Sequence, residues 1–221
     1  MLFRLLFELS YLPFIYKVIL FLTFSIAVIL ALTIHEYSHA FMAYKLGDDT
    51  AKLAGRLTLN PIAHFDLTGL LCFLFLGFGW AKPVPVNSFN FKKIKRDTFL
   101  VSIAGILSNL ILVIIFCPIQ LLLAPAALDS DLLYAIYCLA TYIYQINLVF
   151  MVFNLLPIHP LDGFNAIASL LKYENKFVLF MRRFGSIILL ATIIVFSYTN
   201  IFETLVYYVG YPVNYLWSLI L

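Results

Sequence analysis

Residues 35–39 read His-Glu-Tyr-Ser-His. Two imidazoles four residues apart on an α-helix share a face, so His35 and His39 can reach one metal ion. Glu36 lies about 100° round the helix from His35, too far to be the natural third ligand but close enough to reach a water on the metal. Zinc lowers the pKa of such a water toward ~7, and the carboxylate can then take its proton as general base. The motif is short enough to recur in unrelated chains, where two exposed histidines on a surface helix explain it. Here it follows 17 uncharged residues, 18–34. A charge on such a helix costs about 2.5–3.5 kcal/mol at mid-membrane, which argues for a use.

A catalytic zinc needs a third protein ligand and an open position. The remaining candidates are His64, Asp66, His159 and Asp162. Asp162 ends the uncharged run 132–161, in Asn154-Leu-Leu-Pro-Ile-His-Pro-Leu-Asp162-Gly163. Pro157 and Pro160 must interrupt any helix there and free backbone carbonyls, and Gly163 gives the turn conformational latitude. A broken helix carrying an acid is the signature of a site; the plainer alternative makes Asp162 the N-cap of a helix over 163–171. His159 competes as a ligand, although Pro160 between it and Asp162 argues that the two side chains diverge. His64, on a loop rich in turn residues, is a solvated histidine, a structural one or a group at the mouth of the site.

These residues are carried by a chain that cannot be an ordinary soluble protein. Of its 221 residues, 64% are apolar or aromatic and 11% charged, against about 25% charged in soluble domains. Mean hydropathy is +1.02. The net charge of +3 is spread over short loops, so no nucleic-acid partner is expected. Cys72, Cys117 and Cys138 lie in apolar runs without C-x-x-C spacing and read as small buried hydrophobes.

Uncharged runs cover residues 18–34, 67–81, 99–128, 132–161, 184–202 and 204–221. The first extends as a helix from about Pro13 to Tyr44 and is a retained span, because no small-residue cleavage site follows it. The last two form a hairpin turning near residues 198–203, with Gly210 and Pro212 expected to kink or break the final span. The run 67–81 is short and rich in glycine. If it dips in and returns to the same side, 12 of the 14 Lys and Arg residues, all but Arg4 and Lys17, face the cytoplasm. If it crosses fully, that asymmetry collapses. The expected architecture is therefore all-α and polytopic: about five transmembrane helices plus one re-entrant or interfacial segment, with a short membrane-associated β-like loop. The chain reads as one domain, 1–221, with a catalytic core over about 14–175 and the hairpin over 177–221.

With those elements placed, the chain resembles the site-2 protease family of intramembrane zinc metalloproteases. The resemblance rests on His35–His39, on Asn154–Gly163, on Gly79-Trp-Ala-Lys-Pro-Val-Pro-Val-Asn87 and on Asn60-Pro-Ile-Ala-His64-Phe-Asp66. Ala104-Gly105-x-x-x-Asn109 falls where the family places a glycine and an asparagine. Leu67, Ile106, His159 and Phe164 depart from residues common in the family, and none of them replaces a ligand or the base. The resemblance implies one Zn2+ per chain held by His35, His39 and Asp162, with Glu36 as catalytic base. It further implies Asn154 and Asn109 as pocket residues that orient substrate or oxyanion; His159 and His64, from their own positions in the chain, are further candidates for that pocket.

The implied activity is that of a zinc-dependent endopeptidase, of the family's compact form, cleaving transmembrane segments of other membrane proteins in regulated intramembrane proteolysis. A helical substrate must be unwound first, and the stretch 52–59 with the re-entrant segment offers an edge for strand addition. The expected setting is the cell membrane of a prokaryote, with lipid around the spans and the active site nearer the cytoplasm; the sequence does not give the oligomeric state. Two rivals remain: a catalytically silent membrane-binding homologue, which would typically lack Glu36 or a ligand, and a divalent-metal transporter, which would spread its ionisable residues along a pathway.

Overall fold

Pro13 and Gly47 bound the first long helix, α1 (Phe14–Lys45). At 32 residues it is about 48 Å long. It stops because Gly47 adopts a left-handed φ of 103°. The Gly47 N–H then donates to the Tyr44 carbonyl and the Asp48 N–H to that of Ala43, which closes the helix end in a Schellman motif. This is a computed structural model of the chain, in which residues 12–66, 68, 69, 81–172 and 174–221 are described.

After the short helix α2 (Thr50–Leu53) come α3 (Ile94–Leu123), α4 (Asp131–Asn154), α5 (Asp162–Leu170), α6 (Lys176–Tyr198) and α7 (Ile201–Ile220). The protein is all-α, with no strand among the described residues; they hold one isolated antiparallel bridge, Phe65 to Ala81. Four helices are long and apolar enough to cross a membrane: α1, α3 with its extension to Ala126, α4 and α6. This is a multi-pass membrane protein. The final run, expected as a fifth span, forms α7 and is not among those four.

Helices α1, α3 and α4 pack on one another. Ala27 and Ala31 of α1 are fully buried, and small residues of this kind let helix backbones approach closely. Phe24 and Val28 of α1 pack against Tyr142 and Ile146 of α4, while Ile106, Val113 and Cys117 of α3 pack with Tyr144, Leu148 and Met151. Tyr16 near the start of α1 donates to Asp131 at the start of α4, so these two run parallel. At the other end, the Asp48 carboxylate accepts from the Asn87 N–H and the Asn90 amide, both at 2.7 Å. The chain therefore leaves α1 and re-enters α3 at one end of the bundle. The expected re-entrant segment, 67–81, lies largely outside the described residues.

Three expectations need correction. Lys52 and Leu53 are helical, so the stretch 52–59 is not the anticipated β-like edge. The strand-like pairing lies instead at Phe65 and Ala81, where the Lys82 N–H donates to the His64 carbonyl. Pro212 does not break the last helix, which runs unbroken from Ile201 to Ile220. Gly210 meets α4 closely, a Cβ there falling 2.6 Å from a Leu148 methyl, and Asn214 bonds Tyr144 and Cys117 across the contact. Such packing re-supports a helix that holds a proline. Gly163 has no positive φ either. It is needed for space, because a Cβ would collide with the Leu155 and Leu156 carbonyls.

Candidate metal centre

His35 and His39 project from α1 one helical turn apart, six to ten residues before its end, and both are buried. Asp162 arrives from a different direction. After α4 ends at Asn154, a proline-containing turn is closed by Ile158 N–H to Leu156 and Leu161 N–H to Ile158, each 2.8 Å. It delivers Asp162 as the first residue of α5; Leu161 takes the N-cap position, so Asp162 is not the cap of that helix. The Nε2 atoms of His35 and His39 are 3.1 Å apart. Asp162 Oδ2 lies 3.0 Å from the first and 3.1 Å from the second. Among the described residues, this is the one group of three His, Cys, Asp or Glu side chains whose donor atoms converge so closely.

The other ring nitrogens explain what the cluster can hold. His39 Nδ1 lies 2.7 Å from the Val101 carbonyl, which can only accept, so the proton of that ring sits on Nδ1. His35 Nδ1 lies 2.6 Å from Asn109 Oδ1. With Nδ1 engaged on each ring, both rings turn Nε2 toward a carboxylate oxygen. Three acceptors in mutual contact repel unless a cation sits among them. Donors of a tetrahedral zinc, bonded at about 2.0–2.1 Å, lie roughly 3.3 Å apart, close to the spacing found here. A second fit comes from Gly105 on α3: a Cβ there would stand 2.5 Å from His39 Nε2 and 2.7 Å from His35 Nε2. The helix leaves a space facing both donor atoms.

Glu36 is beside this triangle but not part of it. Its Oε2 accepts from the Val84 N–H at 3.1 Å, which ties it to the segment after the isolated bridge. That segment is held by Arg56, itself 5% exposed. Its guanidinium donates to the carbonyls of Ala63, Lys82 and Pro83, gathering two loops around one charge.

The pocket candidates fall in different places. Asn109 is fully buried, its oxygen on His35 and its nitrogen 2.6 Å from Asn147 Oδ1. With its oxygen on His35 and its nitrogen on Asn147, Asn109 stands behind a ligand. Asn154 ends α4 and donates back to the Phe150 carbonyl. His159 packs edge-on against Phe164 and its backbone lies against Gly185, across a cis peptide to Pro160; its Nδ1 is buried without a partner. His64, 1% exposed, donates from Nε2 to the Thr58 carbonyl inside the Arg56-braced loop. Asp66 accepts from the Gly69 N–H and Thr68 hydroxyl. Sequence reasoning passed over Arg56 and Asn147. An asparagine in the uncharged run 132–161 was the available signal for the second.

Comparison with known proteins agrees with the chemistry of this centre. The chain is 48% identical over 153 residues to "Putative zinc metalloprotease YwhC" of Bacillus subtilis, covering 66% of this chain and 67% of that protein. It is 33% identical over 155 residues to "Putative zinc metalloprotease Rip2" of Mycobacterium tuberculosis, a match spanning 57% of the relative's length. A Mycolicibacterium smegmatis protein of the same name is 28% identical over 187 residues, 81% of this chain. No family profile and no solved structure matches the chain.

Proposed function

This chain belongs to the site-2 protease family of intramembrane zinc metalloproteases, and we propose that it is a zinc endopeptidase cleaving peptide bonds in the membrane segments of other proteins. The observation that supports this reading most directly is the convergence of His35 Nε2, His39 Nε2 and Asp162 Oδ2 within 3.1 Å of one another. Zinc held there would polarise the scissile carbonyl and acidify the attacking water. Glu36, oriented by the Val84 N–H on one oxygen, would then take the proton of that water and pass it to the leaving nitrogen. His35 and His39 lie six to ten residues from the end of α1, about 9–15 Å along the axis, which suits a cut near one membrane face. We place that face on the cytoplasmic side, from the basic loops.

A transmembrane helix offers no free carbonyl, so the substrate must unwind before it reacts. Residues 82–87 form an irregular, largely exposed stretch between the bridge and the next 3-10 turn, and Val84 within it donates its N–H to Glu36. The test is co-expression with tagged single-span membrane proteins. Wild type should release a fragment, and Glu36→Gln should bind zinc normally without releasing it. Cleavage by Glu36→Gln above a few per cent of wild type would remove Glu36 from the mechanism.

A further inference from the structure

An asparagine amide can face either way, and which way it faces decides whether it accepts or donates. Asn109 must present its oxygen to His35 Nδ1. Presented with the NH2 group instead, that ring would lose its acceptor, place its proton on Nε2 and spoil the donor atom. Nothing in Asn109 itself selects the correct face. The selection is made one helix away. Asn147 on α4, fully buried, donates from Nδ2 to the Ile143 carbonyl of its own helix at 2.7 Å. A carbonyl cannot donate, so that bond fixes the Asn147 amide with its oxygen pointing to Asn109. The Asn147 oxygen accepts from Asn109 Nδ2 at 2.6 Å, which turns the Asn109 oxygen to His35. From Ile143 to His35 every donor and acceptor is determined by one backbone carbonyl.

We propose that Asn147 is a positioning residue of the metal centre: through the amide of Asn109, it holds His35 in the tautomer whose Nε2 is free to bind the ion. The proposal rests on the metal reading above. Its neighbours support a dedicated role. Asn147 is a buried amide beside Ile143, Tyr144, Leu148 and Met151, and among the described residues its side-chain partners are those of this chain of contacts. His39 needs no such relay, because its Nδ1 already meets the backbone carbonyl of Val101.

The test uses the full-length protein purified in detergent, with zinc retention measured against graded chelator on folded material. Outer partners of metal ligands are typically worth 10–100-fold in affinity. Asn147→Leu should weaken zinc by that factor. Asn147→Asp should stay within about threefold of wild type, since it keeps an oxygen for Asn109 and, protonated when buried, an O–H for Ile143. In an Asn109→Asp background, whose two oxygens are equivalent, Asn147→Leu should cost no further zinc affinity. Equal losses in both backgrounds, or no loss in either, would overturn the proposal in favour of packing alone. Nitrogen-15 spectra of the zinc-loaded wild type give a check that requires no variant to fold. The four histidines make it tractable; His35 should carry its remaining proton on Nδ1, and ligation through Nδ1 overturns the relay. A wild type that binds no zinc sinks the metal reading and this proposal with it. A wild type that binds zinc alongside an unaffected Asn147→Leu sinks the relay alone.

Discussion

Replacing Gly105 by alanine adds one methyl group to α3 at the face of the two imidazoles. Its Cβ would stand 2.5 Å from His39 Nε2, 2.6 Å from His35 Cε1 and 2.7 Å from His35 Nε2. An ordinary contact needs about 3.4 Å, so the rings or the helix must give by roughly 0.7–0.9 Å in a close-packed interior. The rings are not free to retreat. His35 is held at 2.6 Å by Asn109 and His39 at 2.7 Å by the Val101 carbonyl. A shift of that size carries both bonds beyond useful length. Each buried group left unpaired costs about 1–3 kcal/mol, or roughly 2–6 kcal/mol for two. That cost falls on the metal-free fold as well and lowers its melting temperature, while zinc affinity should fall by the roughly 10–100-fold typical of disturbing the outer partners of ligands. The assay is zinc retention against a chelator, read beside the melting temperature of the metal-free protein. Helix propensity alone would make Gly→Ala stabilising by up to about 1 kcal/mol. An alanine variant that binds zinc within threefold of wild type would refute the assignment of this face to the metal.

Asp162→Ala should lose zinc, because it deletes one corner of the donor triangle, whereas His159→Ala should keep zinc and change activity modestly; metal content of purified protein decides, and the reverse pattern would make this a three-histidine site. Burial pushes the Asp48 carboxyl up, but the donors from Thr50, Asn87 and Asn90 more than offset it, so its pKa is held below the usual carboxylate value. A depressed folded pKa stabilises above the unfolded value near 3.9 and loses that stabilisation as pH falls. The melting-temperature gap between wild type and Asp48→Asn should therefore shrink from pH 5 toward pH 3, and a gap that widens contradicts the assignment. Single cysteines at positions 52 and 93 of a Cys-free variant should label from one side of the membrane and one at position 130 from the other; labelling of 93 with 130 would contradict the meeting of Asp48 with Asn87 and Asn90.

What the sequence disclosed and what it withheld divide along a physical line. Helix α1 was legible because an uncharged run, a following His pair at i and i+4, and a glycine stop are all local signals. Asp162 was legible because two prolines at the end of a long apolar run force the chain out of helix just before an acid. That the C-terminal segment must turn followed from length: residues 184–221, 38 in all with Glu203 the one charge, exceed one span, and the break falls at Thr199 and Asn200. Close approaches were not legible. Gly163 and Gly210 looked like conformational devices and are instead places where two backbones, or a backbone and a leucine, leave no room for a Cβ. Nor does a sequence show which way an amide faces. Asn109 was visible as a polar residue in a span, but its service to His35 depends on Asn147 from another helix. The β-like edge was placed too early because Arg56 binds carbonyls from residues 63, 82 and 83, partners that no local pattern connects.

The two histidines are anchored by unlike means, and this predicts where the centre is vulnerable. His39 leans on the Val101 carbonyl, an acceptor that no side-chain substitution removes. His35 leans on a chain of two side-chain amides before a backbone group is reached. Substitutions behind the metal should therefore act almost wholly through His35. The third donor is fixed in yet another way, by the turn that presents Asp162 at the start of α5 and by the glycine that lets that helix sit against Leu155. Both histidines come from α1 and are braced by α3, whereas Asp162 rests on its own turn and glycine, so no motion confined to that turn loosens all three donors. That rigidity keeps three mutually repelling acceptors in contact, and it is what a site must have if a metal ion is to bind without the protein first reorganising.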